Sequence, residues 1–246
     1  MNTAVAGEQP GQDAAAVPAL ATSAPRPVHY STGRLTRAQA DTVDKWRARL
    51  RLDRPLPGQR PVGHAARMLG FSDRPRASCS DAIAAAVEAL LARPPAPLDL
   101  ARYAYAAMRA QQDAAQDGEP GIATPQYPPV SWYLTGDSAR AVEDLRRAAY
   151  GAVLDVHADT RRAAYQEHPG GTREAAVARS VFIAGELARQ RLPFIRQIPR
   201  GAAGRMAIDR WAGRPADEVA AAAVAYASQA HEHPQRARSD MRKLLT

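Results

Sequence analysis

Pro27-Val28-His29-Tyr30-Ser31-Thr32-Gly33-Arg34-Leu35-Thr36-Arg37-Ala38 is the stretch that decides how this chain is read. A short extended run breaks at a glycine and gives way to a helical pattern, with Ala40, Val43, Trp46 and Leu50 recurring at steps of three and four. Thr36 is placed to cap that helix, because its hydroxyl can accept a backbone N–H of the first turn. The stretch then returns about a hundred residues later. Tyr30-Ser31-Thr32-Gly33 followed by Arg37-Ala38 reappears as Tyr133-Leu134-Thr135-Gly136 followed by Arg140-Ala141, an offset of 103. Pro27-Val28-His29-Tyr30 matches Pro129-Val130-Ser131-Trp132 at an offset of 102, which also places Ala40, Val43 and Trp46 on Val142, Leu145 and Ala148.

Further helices follow from the same signals. Pro55, Pro57 and Pro61 end the first, and a short apolar stretch spans Ala65 to Phe71. Ser78-Cys79-Ser80-Asp81-Ala82-Ile83 opens the clearest helix, with Ser78 or Ser80 as cap, Asp81 complementing the helix dipole, and Ile83, Val87, Leu90 and Leu91 as one apolar stripe. Residues 98–117 predict a helix, and 118–129 a proline-rich linker. Ser138 to about Glu167 predicts a long helix, broken by Pro169-Gly170-Gly171. Thr172 caps the next, with Val177, Val181 and Leu187 assigned to one face. Helical patterns continue over 202–213 and 216–231.

Each half thus reads as extended segment, helix, excursion and capped helix. That order resembles the ribbon-helix-helix (Arc/CopG-like) family of DNA-binding proteins, carried here by Val28 to Arg34, the Thr36 helix and the Ser78 helix. The resemblance implies two ribbons pairing as an antiparallel sheet in the major groove, where alternate side chains read base edges. It also implies that the second helix offers its N-terminal amides to a phosphate. The family's unit is a dimer, so two repeats in one chain would build it internally. The sequence departs from the family by inserting about two dozen residues, Leu52 to Ala77, between the helices, and more in the second half. Phe194-Ile195-Arg196-Gln197-Ile198 with the helices after it is a possible third unit. There Arg196 and Gln197 suit guanine and adenine edges, and a connector between packed helices is the competing reading.

Strand phase stays open at this level, since a one-residue slip turns every side chain to the other face. The preferred phase points Arg34, Thr32, Tyr30 and Val28 outward, placing a basic and a hydroxyl side chain where bases and phosphates would lie. The opposite phase buries Val28 and Tyr30 and presents His29 and Ser31.

Charge supports an anionic partner through its placement. The total is +8, but 31 of 33 basic residues are arginine in an alanine-rich chain, as a coding bias would produce. Residues 34–93 carry +6 and 193–246 carry +4, while 1–33 and 94–136 are net acidic. One cysteine, Cys79, excludes an internal disulfide framework and fits a reducing compartment. No apolar run approaches spanning length, and the first 30 residues lack a secretory pattern.

Catalytic and metal constellations are weak. His231-Glu232-His233 has no cysteine nearby, and Asp155, His157 and Asp159 do not face one point on a helix. Pro169-Gly170-Gly171-Thr172 lacks the lysine and spacing of a phosphate-binding loop. Trp46, Trp132 and Trp211 fit core positions. No enzyme activity, cofactor or metal is expected.

The expected fold is mostly α with short β-ribbon strands, as tandem ribbon-helix-helix-like units plus additional helices. Its parts are a disordered tail (1–27), a first unit (28–93), a helix and linker (94–129), a second unit (130–191), a helical region (192–232) and a basic tail (233–246). The expected function is sequence-specific binding of double-stranded DNA as a transcriptional repressor or a plasmid or chromosome partition protein. The partition role implies a partition ATPase as partner, and self-association as a homodimer is a further candidate. The location would be cytoplasmic, on nucleoid or plasmid. The acting residues would be Tyr30, Thr32 and Arg34 on one ribbon, and Trp132, Tyr133, Leu134 and Thr135 on the other. Arg37 and Arg140 would contact phosphates, and Ser78, Ser80 and Thr172 would cap helices that hold them. The competing expectation is an all-helical protein–protein interaction or adaptor protein with no nucleic-acid role.

Overall fold

Two four-residue strands hold the halves of the chain together. In the computed structural model β1 (Val28–Ser31) pairs antiparallel with β2 (Ser131–Leu134), so that Val28, His29, Tyr30 and Ser31 lie opposite Leu134, Tyr133, Trp132 and Ser131. The structure describes residues 28–52, 54–56, 60–69, 76–116, 127–134, 136–192 and 197–229. The expected 1–27 tail, most of the linker, the 193–196 part of the third ribbon and the 233–246 tail lie outside them.

Pairing continues past the strands. Thr32 N donates to Val130 O at 3.1 Å, and Val130 N donates to the Thr32 hydroxyl at 3.0 Å. Gly33 then turns the chain with φ 68°, a left-handed conformation that glycine adopts without a Cβ clash, and Leu35 pairs again, with Tyr127. This register fits the 102 offset. Tyr30 lies opposite Trp132, the residue that this offset matches to it.

Helices follow each strand. Thr36 and Gln39 form a capping box that starts α1 (Arg37–Arg51), and Ser78 and Asp81 form another at α3 (Cys79–Ala92). Between them lies the short α2 (His64–Met68), which has no buried residue. α4 (Pro97–Gln116), α5 (Gly136–Glu167), α6 (Arg173–Arg189), α7 (Ala202–Trp211) and α8 (216–229) complete the described elements.

α3 is the axle of the core. Ala82 through Val87 are all buried, because its run of alanines lets neighbours approach from several sides. Around it pack α7, β2, α1 and α5. Trp46 and Trp211 meet edge to face at 6.5 Å, and α8 adds Val219, Ala220, Ala223 and Ala227 at helical spacing. Gln39, buried, donates to Tyr103 Oη at 2.9 Å and to both Asp209 oxygens, tying α1 to α4 and α7. Arg49, also buried, pairs with Asp217 and donates to Pro55 O at 3.1 Å, fastening α8 to the end of α1. That contact holds the Asp217 carboxyl below its usual range.

The fold is mostly helical with a small two-stranded ribbon, as expected. The helix packed beside α3 is α7, whereas α6 packs chiefly on α5. Val177 and Val181 are 57% and 67% exposed while Leu187 is buried, so the single apolar face expected for them divides in two. The α5–α6 turn is locked by Arg179, which donates to His168 O and Gly170 O at 2.7 and 2.8 Å and lies over the Tyr165 ring. Among the described residues no helix is long and apolar enough to cross a membrane.

Candidate nucleic-acid interface

The ribbon has one buried and one open face. Tyr30 and Trp132 stack inward with ring centroids 4.6 Å apart, and Thr32 and Leu134 join them in full burial. Tyr30 Oη donates to Ala139 O at 3.1 Å, and burial pushes its phenol pKa up. The Thr32 hydroxyl is consumed internally, accepting from Val130 N and donating to Gly33 O at 3.0 Å. Tyr30, Thr32, Trp132 and Leu134 therefore cannot meet base edges, and the preferred strand phase is corrected to its opposite, except that Val28, which the opposite phase would also bury, is 41% exposed at the start of β1. The reason is one of magnitude. Burying two aromatic rings and a leucine is worth several kcal/mol, more than any exposed hydroxyl gains from water.

The open face carries His29, Ser31, Ser131 and Tyr133. His29 and Tyr133 rings meet at 5.2 Å with a 51° tilt, and Tyr133 is half exposed. Across the strands His29 lies opposite Tyr133 and Ser31 opposite Ser131. All four are hydrogen-bonding groups. Of them only Tyr133 belongs to the expected set; His29 and Ser31 belong to the less favoured phase, and Ser131 is in neither. The alternation Val28, Tyr30 and Trp132, Leu134 is the signal that points to them.

Basic side chains flank this face in sequence. Arg34 is exposed at the Gly33 bend, and Arg37 is exposed in the first turn of α1, a turn without an acidic residue. Arg140 is 73% exposed in α5 and pairs with Asp137 at 3.5 Å, so the second half offers a partly neutralised counterpart. Tyr226 of α8 donates to Tyr133 O at 3.0 Å and steadies β2 from its edge; burial, then Glu88 and Asp81, push its phenol up to about 12.

The helix termini are less suited to phosphate. At α3 the Asp81 carboxylate accepts from Ser78 N and Ser78 Oγ, both at 2.7 Å, which fills the end with an anion. Ser80 is half-buried. Cys79 beside it is pushed up to about 11 by burial, which makes it an unreactive thiol. Thr172 caps α6 by accepting from Ala175 N at 3.2 Å, on the α5–α6 hairpin. Gln197 is exposed; Thr135 and Arg196 lie outside the described residues.

One buried cation stands apart. Arg205 on α7 is 4% exposed, its Nε and Nη2 have no hydrogen-bond partner among the described residues, and Gly33 sits over its Nη1. Burial draws its pKa down, opposed by Tyr103 and Asp209. Desolvating a guanidinium whose Nε and Nη2 find no acceptor is costly even with the Asp209 carboxylate near it, so Arg205→Met is expected to leave stability unchanged or raise it by about 1 kcal/mol in urea unfolding. A loss above about 2 kcal/mol would show that Arg205 makes compensating contacts in solution.

No known protein family matches this chain, and neither characterised proteins nor solved structures yield a match.

Proposed function

We propose that this protein binds double-stranded DNA by laying the open face of its ribbon in the major groove, as a repressor or partition protein would. The observation carrying this reading is the antiparallel pairing of β1 with β2 across the two halves of the chain, with His29, Ser31, Ser131 and Tyr133 on the face away from the core. A two-stranded ribbon fits a groove about 12 Å wide, and serine and imidazole groups hydrogen-bond base edges. Arg34 and Arg37 supply the sequence-independent attraction to phosphate.

Titration with random-sequence duplex tests it. Binding is expected at about 50 mM salt and should fall steeply by about 200 mM. Arg37→Ala should weaken binding on all sequences and flatten the salt slope by about one, whereas Ser131→Ala should shift sequence preference with the slope unchanged. Absence of binding at low salt refutes the reading. The competing reading, a helical protein–protein interaction module, draws on the exposed Val177 and Val181.

A further inference from the structure

α6 carries two seams. Its inner seam, Ala178, Phe182, Ile183 and Leu187 among it, is turned toward the body, and α6 packs on α5. Its outer seam is Val177, Val181, Ala184 and Ala188, all exposed. Their spacing of four, three and four residues is the alternation by which one helix meets another in a coiled coil, where small residues allow close approach. Seventeen residues give this seam a length of about 25 Å. Val177 and Val181 stay 57% and 67% exposed one turn apart on a helix already anchored on its other side.

We propose that this outer seam is a dimer interface and that its occupant is α6 of a second copy, packed antiparallel across a two-fold axis. The charges at its ends argue for self-pairing. Glu174, three residues before Val177, ends the seam at the start of the helix, Arg189 flanks Ala188 at its other end, and both are exposed. A two-fold axis perpendicular to two antiparallel helices keeps sides and exchanges ends, so Glu174 of each copy meets Arg189 of the other. Glu174 makes no ion pair among the described residues. Arg189 is paired with Glu186 at 2.5 Å and has further donors available. Arg191 has left the helix in a left-handed conformation, φ 57°, which removes it from the seam. The α5–α6 hairpin, pinned at its turn by Arg179, presents this seam as a rigid arm.

The proposal does not depend on DNA binding and is tested without DNA. Sedimentation equilibrium of the full chain up to roughly 100 µM should give twice the 26.4 kDa monomer mass. Val181→Glu should yield a monomer with an unchanged thermal transition by circular dichroism at dilutions where the wild type is monomeric, since the side chain is exposed in each copy. Glu174→Arg should weaken the dimer roughly tenfold, and combining it with Arg189→Glu should restore it. A wild-type monomer throughout, or a dimer indifferent to Val181→Glu and to both charge reversals, overturns the assignment; a heterologous partner would appear as the first of these outcomes.

Discussion

Gly201→Ala is expected to destabilise the protein by about 3 kcal/mol, a large share of a typical folding free energy. A Cβ at this position would lie 2.5 Å from both Ser31 O and Thr32 O and 2.6 Å from the Thr32 carbonyl carbon. All three are backbone atoms of the ribbon, so no side chain can swing aside, and either α7 or β1 must retreat. The glycine is needed for this approach alone, because its φ of −74° suits any residue. Gly213→Ala is the control, since a methyl group there would meet nothing within 4 Å, and it should stay within about 0.5 kcal/mol of wild type. Urea midpoints at constant slope would measure both. Equal midpoints for Gly201→Ala and Gly213→Ala would mean that α7 does not sit against the ribbon.

Trp132→Ala should cost about 3–5 kcal/mol, the range for deleting a large buried aromatic. Trp132 is fully buried between the Tyr30 ring and Gly204, where an added Cβ would come within 3.0 Å of the indole. Removing it leaves a cavity under the ribbon and frees Tyr30 from its stack. The indole Nε1 has no hydrogen-bond partner among the described residues. Trp132→Phe therefore discards no polar contact and should lose only about 1 kcal/mol. Chemical denaturation of the pair would separate packing from polarity. A small loss in the alanine variant would contradict the inward phase of β2.

What can be read from the chain is local. Thr36 with Gln39, and Ser78 with Asp81, complete their capping boxes within four residues, and both helices start as expected. The strands are recognisable because their residues recur. Their phase is not, because turning Arg34 and Thr32 toward a partner competes with ring burial, and no local signal says what covers the ribbon. That cover comes from Gly201, about 170 residues beyond Ser31, and Gly204, about 70 beyond Trp132, whose purpose emerges only once α7 meets the ribbon. The position beside α3 is equally hidden. α6 and α7 both carry apolar helical patterns, and long-range packing sets α7 there. Ala84 to Ala86 cannot be told from coding bias until their neighbours are in place.

The ribbon joins residues about a hundred positions apart, and this has a consequence for how the molecule is made. On a ribosome working at about 5–20 residues per second, β1 waits roughly 5–20 s for its partner strand to be synthesised. Its cover from Gly201 and α7 arrives later still. Throughout that interval Val28 to Ser31 is an unpaired strand edge with an uncovered tyrosine, the kind of segment that pairs with a neighbouring chain. Nascent chains of this protein are thus most vulnerable before residue 134 emerges; β2 closes the open edge, and the ring stays uncovered until α7 follows.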